Sequence, residues 1–477
     1  MAAVLLATTH AALAACPSCG SSPCTISGTS TIASGDTCNY AGKDVILTGT
    51  LNGDNNAACY TVVADNLTVR GTLRARGSCI NVTVSGNFKT ESVSNSAATV
   101  DVRNADSTGD GVYVTCGTAT INGKAINANA DGDQTPFYYP SGDIDIICSG
   151  AITGTGGPIT ADATGGDDGG IITVVSTGST IDLSSQLTVN GGGTFSFGGS
   201  IYVDGSGNVT VGGATNSLEA QSAQGGSAGS VEIVSGGTAT INGAINVNGN
   251  GDDTDGGTIS VTAAAVSTGT SWNARGDRGG DGGSIDVNAD SGAGTVTTTS
   301  GSASWNVAGA SATGDGGWGG GITVAALGDI SLSGDMDAAG NGESASGGTI
   351  DISTTNGDLV VETVSRLEAD SAGTDATDGL VYLTGCDMTI KGDVDTRNTS
   401  LDSGSNAFDY AGTFTQNTGS TMLADNDGAN DVLCRCIDTS PADGVCDTPA
   451  TCVSAPTFNG TVTPAASIIP VPRASCS

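Results

Sequence analysis

The side chains best placed to do chemistry in this chain are carboxylates set in glycine-rich loops. Asp167 and Asp168 lie in Gly165-Gly-Asp-Asp-Gly169, and Asp252, Asp253 and Asp255 in Gly251-Asp-Asp-Thr-Asp-Gly256. Asp277 with Asp281, and Asp315 after Gly314, continue the series. Clustered carboxylates and carbonyl oxygens suit a hard cation such as Ca²⁺, so these aspartates are the candidate metal ligands. Neither the toxin-type calcium nonapeptide nor an EF-hand loop is present, and solvated corner loops are the competing reading.

Paired carboxylates can also hydrolyse glycosides. Sugar-cleaving sites concentrate Asp with Arg or Lys on one patch. Here cations are sparse: between Lys124 and Arg366 only Arg275 and Arg278 occur. The single histidine is His10, inside the predicted leader. That removes Ser-His-Asp and Cys-His triads and histidine-ligated zinc from consideration. The chain is therefore read as a non-enzyme, with a polysaccharide lyase or glycoside hydrolase as the alternative. Trp318, in Gly316-Gly-Trp-Gly-Gly-Gly321, is the tryptophan expected to be exposed. Together with Arg275 and Arg278 it is the candidate ligand contact. Arg275-Gly276-Asp277 spells an integrin-type tripeptide, a match short enough to arise by chance.

The elements that position these residues are legible as a ladder. A phrase of apolar residue, polar residue, then usually Ala or Val returns along the chain. It reads Ile126-Asn-Ala128, Ile159-Thr-Ala161, Leu187-Thr-Val189, Leu218-Glu-Ala220 and Ile245-Asn-Val247. It continues as Trp272-Asn-Ala274, Trp305-Asn-Val307, Met336-Asp-Ala338, Leu367-Glu-Ala369 and Val394-Asp-Thr396. The steps range from 27 residues (245 to 272) to 33 (126 to 159). Such a period denotes a stacked solenoid. Trp272 and Trp305 occupy an aliphatic slot, which places them in the core.

Each period holds two further strand-like pieces. One alternates strictly, as in Ile259-Ser-Val261 and Ile350-Asp-Ile352, so aliphatic residues face inward. The other is a short Thr/Ile/Val piece; residues 117–123 and 237–243 are identical there. Gly, Asn and Asp are expected at corners needing positive φ. The fold class is all-β, a single-stranded parallel β-helix of about thirteen coils and three strands per coil. It is expected to be right-handed, because the coils are long and uneven. The expected division is 1–15 export leader, 16–45 N-terminal cap with cysteines, 46–430 parallel β-helix and 431–477 Cys-rich cap or tail. An ice-binding face would need aligned Thr-x-Thr rows. Thr118/Thr120 and Thr238/Thr240 fit, whereas Ile181/Leu183 and Met388/Ile390 in related slots argue against it.

Fourteen cysteines point to an oxidising compartment. They cluster at or before Cys148 and at or after Cys386, so disulfides are expected to fasten the ends. Cys116 and Cys148 occupy equivalent positions on consecutive coils, which brings their Cα atoms within disulfide range. Cys59 and Cys79 stack likewise, with Cys38 as a competitor for Cys59. Cys16-Pro-Ser-Cys19 and Cys434-Arg-Cys436 are read as structural rather than redox sites. Residues 1–15 resemble an export leader, and Leu13-Ala14-Ala15-Cys16 resembles a lipoprotein box with Cys16 as the lipidated residue.

The net charge is −35, from 14 Lys+Arg and 49 Asp+Glu. Nucleic acids would be repelled and are excluded as partners. No apolar run is long enough for a membrane span. The phrases Gly328-Asp-Ile-Ser-Leu-Ser-Gly334, Gly347-Gly-Thr-Ile-Asp-Ile-Ser353 and Gly256-Gly-Thr-Ile-Ser-Val261 resemble filamentous-haemagglutinin-type β-helices over about residues 45–430. That resemblance implies a secreted or surface-displayed scaffold, adhesin or filament component. Its partners would be further copies of itself, end to end or laterally, or a surface polysaccharide. No cofactor is expected beyond the Ca²⁺ option.

Overall fold

Alternating aliphatic residues can bury one face only if something stacks on it, and here each coil stacks on the next. A computed structural model describes residues 16–472 except 55–57, 76, 93–98, 104–110, 123–124, 131–140, 166, 216, 300–302, 311–315, 343, 372–378, 398–403, 425–427 and 437–450. The expected leader, His10 and Asp315 lie outside the described residues. The architecture is a parallel β-solenoid with strands in a 28-stranded and a 16-stranded sheet. The ladder phrases form the smaller sheet, one strand per coil. They stack in register: Ile245 on Trp272, Trp272 on Trp305, Trp305 on Met336 and Met336 on Leu367. The two other pieces of each coil form the larger sheet; in Ser230–Ile241 and Thr258–Thr268 they merge into one bent strand. At about 4.8 Å per rung, sixteen rungs span about 70 Å.

The alternation holds in three dimensions. Ile259 and Val261 are buried and Ser260 between them is not. Trp272 and Trp305 are 0% and 1% exposed, stacked at 4.5 Å with planes 7° apart. In-register stacking makes this pairing unavoidable once both residues occupy the same slot.

The solenoid is longer than residues 46–430 at both ends. Strand Cys24–Ile26 pairs with Thr37–Leu47, and Thr29–Ile32 with Thr50–Gly53. At the other end Thr457–Phe458, Thr461–Thr463 and Ser467–Val471 stack on Phe414–Gln416, Thr421–Leu423 and Asn430–Arg435. The expected cap or tail therefore supplies a further coil of the stack. Its inward residues Phe458, Val462 and Ala466 pack on the core, and Cys434–Cys452 ties it to the coil below.

Disulfides join Cys116 to Cys148 (Cα–Cα 4.5 Å) and Cys59 to Cys79 (4.2 Å). Cys116 and Cys148 face one another in the strand register, so the bond crosses one rung. Cys38, the competitor for Cys59, instead bonds Cys16. That bond engages the Cys16 sulfur, the atom a thioether-linked lipid would also need. Cys19 bonds Cys24 and Cys434 bonds Cys452, so neither short cysteine motif closes on itself.

Candidate functional site

The corner loops follow the ladder phrase and end in a glycine pair, as in Gly256-Gly257, Gly282-Gly283 and Gly319-Gly320. The N–H of the second glycine closes the loop. Gly283 donates to the Ala274 carbonyl at 2.7 Å, Gly320 to Val307 at 2.8 Å and Gly348 to Ala338 at 2.7 Å. The first glycine donates to the coil above: Gly256 to Asp281, Gly282 to Trp318 and Gly319 to Ser346. None of these paired glycines has positive φ; the expected positive-φ corner residues sit earlier in the loops, at Gly165, Gly251, Asp253, Gly279 and Gly342. They are glycine because backbones stack in contact. A Cβ on Gly283 would fall 1.9 Å from the Gly257 oxygen, and one on Gly320 1.9 Å from the Gly283 oxygen.

The residue before each glycine pair, or before Ala228-Gly229 in one coil, forms a column. Asp168, Phe197, Ser227, Asp255, Asp281, Trp318 and Ser346 occupy it. The aspartates of this column cap the amide of the next coil. Asp168 Oδ1 accepts from Phe197 N at 2.8 Å, Asp255 Oδ1 from Asp281 N at 2.9 Å and Asp281 Oδ1 from Trp318 N at 2.8 Å. Asp277 Oδ2 accepts from Gly251 N at 2.9 Å. Asp167 is buried in the same corner. Asp253 has positive φ (54°) and is exposed, and its N–H reaches the Arg278 carbonyl at 3.3 Å.

Asp252, Asp253, Asp255, Asp277, Arg278, Asp281 and Trp318 thus meet on neighbouring coils at one corner. Asp168 lies three coils away in that column, roughly 14 Å along the rod. Arg278 pairs with Asp252 at 2.9 Å, both side chains more than half exposed, and this hydrogen bond raises the Arg278 pKa. Solvent screens such a pair, so it adds little stability. Arg275 is exposed on the same loop; its N–H is held by Asn248 Oδ1 at 3.0 Å. Trp318 is 58% exposed and Phe197, in the same column, 52%. Among the described residues no group of three or more His, Cys, Asp or Glu could hold a metal ion. Asp168, Asp255, Asp277 and Asp281 are each spent on one backbone amide, and Asp252 on Arg278.

A second charged patch was missed in the sequence. The polar slot of the ladder phrase stacks Asp337 on Glu368 and Glu368 on Asp395. Arg366 bridges Glu368 at 2.6 Å and Asp395 at 3.5 Å, and Arg397 binds Asp395 at 2.7 Å. Burial, then the neighbouring Asp370 charge, pushes the Glu368 pKa up to about 7. Asp370 is also raised, by burial first and then by Asp395. Burial works against Asp395 too, but hydrogen bonds and charge from Arg397 outweigh it and hold its pKa below the usual carboxylate range. Asp101 and Arg103 repeat this fork near the other end, with Nε to Oδ1 at 2.8 Å and Nη2 to Oδ2 at 3.1 Å. The findable signal was Asp-x-Arg starting in the polar slot, whose two Arg nitrogens match two carboxylate oxygens.

The described residues include no helix long and apolar enough to cross a membrane. The chain matches no protein-family model, no curated protein and no solved structure. The class defined by fold and site is a disulfide-fastened parallel β-solenoid with acidic corner loops.

Proposed function

We propose that this protein is an extracellular or cell-surface structural and adhesive rod. The observation that carries the reading is that one coil design is repeated along the whole rod, with disulfides tying coils near both ends. Such bonds persist in oxidising compartments. The corner carboxylates serve as caps between coils, which suits a scaffold whose task is to remain a rod. Its partners are further copies of itself, meeting end to end or side by side. Electron microscopy of purified protein with and without Ca²⁺ tests this. Filaments or sheets support it, and monodisperse single rods in both conditions refute assembly.

A polysaccharide-binding or polysaccharide-degrading role is the second reading. It is favoured by exposed Trp318 beside a corner that also holds Arg278 and five aspartates. Aromatic faces of this kind stack on sugar rings. Loss of glycan retention in Trp318→Ala, with the rod intact, would support it.

A further inference from the structure

The strand register exposes a face that the linear sequence disguises. In the second strand of each coil, Ile181 and Leu183 point inward and are buried, and Asp182 between them is exposed. Met388 and Ile390 are likewise inward, with Thr389 between them. Ile181, Leu183, Met388 and Ile390 are thus inward residues and do not interrupt an outward threonine row. The register aligns the outward ones. Thr120 stacks on Thr153, Thr153 on Asp182, Asp182 on Thr210, Thr210 on Thr240, Thr240 on Ser267 and Ser267 on Thr297. A second file runs two residues earlier and includes Thr238, Ala265 and Thr295 in register.

We propose that this face, from Thr118 to Thr297, is a docking surface for an ordered water lattice, that is, for ice. It goes beyond the scaffold reading and does not depend on assembly. Rungs lie about 4.8 Å apart and the two files about 6.5–7 Å apart, a periodic array of mostly threonines interrupted by Asp182 in one file and by Ala151, Asn208 and Ala265 in the other. Threonine is stiff at χ1, which keeps that array fixed. Asp182 is the one charged residue among its outward positions, in a chain of net charge −35. Strongly hydrated charges would disorder a water lattice; a neutral hydroxyl and methyl array can template one.

Most of the hydroxyls are also available. Thr153 donates its hydroxyl to the Ala119 carbonyl at 3.4 Å, whereas among the described residues none of the Thr120, Thr210, Thr240 and Thr297 hydroxyls is engaged by another protein side chain or carbonyl in a hydrogen bond. Further along the rod the earlier file changes character. Asp329 caps Asp358 N at 2.9 Å, Asp358 caps Asp387 N at 3.3 Å, and Asp387 binds the Thr413 hydroxyl at 2.9 Å. Those side chains are both charged and occupied, which bounds the neutral face. A soluble sugar is a poorer match, because the face has neither an aromatic platform nor a cleft of converging polar groups. A flat periodic partner engages every rung at once.

The test is ice recrystallisation inhibition together with partition into a slowly growing ice front, using the whole chain. The wild type is expected to inhibit recrystallisation and enter the ice. Thr210→Lys/Thr240→Lys is expected to need at least tenfold more protein for the same effect. Its buried neighbours Val209, Val211, Ala239 and Ile241 are untouched. Thr240→Tyr is a second variant; tyrosine favours strands but breaks the flat approach, and the same loss is expected. Thr323→Lys, outward on the first-strand face, should behave as wild type. Exclusion of the wild type from ice, or unchanged activity in both face variants at matched circular dichroism, overturns the proposal. Retention on insoluble polysaccharide powder that the same variants abolish, without any ice effect, also overturns it and reassigns the face to carbohydrate.

Discussion

Replacing Gly283 by alanine is expected to open one region of the rod and leave the rest closed. The added Cβ would sit 1.9 Å from the Gly257 oxygen and 2.7 Å from the Gly256 carbon. Both are backbone atoms, so no side chain can swing aside. The Gly283 N–H, which closes its corner loop onto Ala274 at 2.7 Å, would be pushed out of line. Overpacking costs roughly 1–3 kcal/mol when side chains can adjust, and a backbone clash belongs at the upper end. About 3 kcal/mol corresponds to roughly a hundredfold shift in an equilibrium constant. Coils contact only their neighbours, so the cost stays local. Hydrogen exchange read by mass spectrometry should show protection falling about a hundredfold in peptides covering 256–289, with peptides covering 58–90 unchanged. Gly321→Ala is the control: nothing lies within 4 Å of a Cβ there and its φ is not positive. Equal behaviour of the two variants would refute the view that the glycine column exists for backbone contact.

Other perturbations separate the remaining contributions. Glu368 carries a folded pKa raised from 4.5 to about 7, so its stabilising contribution is full below about pH 4.5 and is lost as pH rises through 7. Thermal unfolding should therefore show a decline across that window which Glu368→Gln flattens; a parallel profile in the variant counts against it. Asp101 and Asp395 act with the opposite sign, their folded pKa values being lowered, so their contribution is present above about pH 4 and is lost in stronger acid. Cys116→Ser/Cys148→Ser removes a link closing a 32-residue separation, worth about 3–4 kcal/mol in the chain-entropy account, and should lower the denaturant midpoint at the Cys-rich end. Arg278→Ala breaks a fully solvated pair and should leave the melting temperature unchanged within error. Trp305→Ala removes half of a buried stack and should cost about 3–5 kcal/mol, read as loss of exchange protection in the coils on either side.

Alternation of period two and a return of the ladder phrase every 27 residues or more were enough to specify parallel coils, an aliphatic core and a buried Trp272 and Trp305. The Cys116–Cys148 bond followed as well, since equal phase on adjacent rungs leaves little freedom. Composition misled at the tail. Its cysteines and prolines marked 431–477 as a cap or tail, whereas three strands there continue the stack.

The repeat is written into the chain: one unit, its inward residues and its period are all local properties of a strand. Which outward residues become neighbours is set by the stacking of coils. Corner loops differ in length, so linear spacing cannot align Thr210 with Thr240, Asp281 with the Trp318 amide, or Glu368 with Asp395. Stacking at the rung spacing makes those alignments. It turns scattered aspartates into caps, glycine pairs into a backbone contact, and isolated threonines into a face.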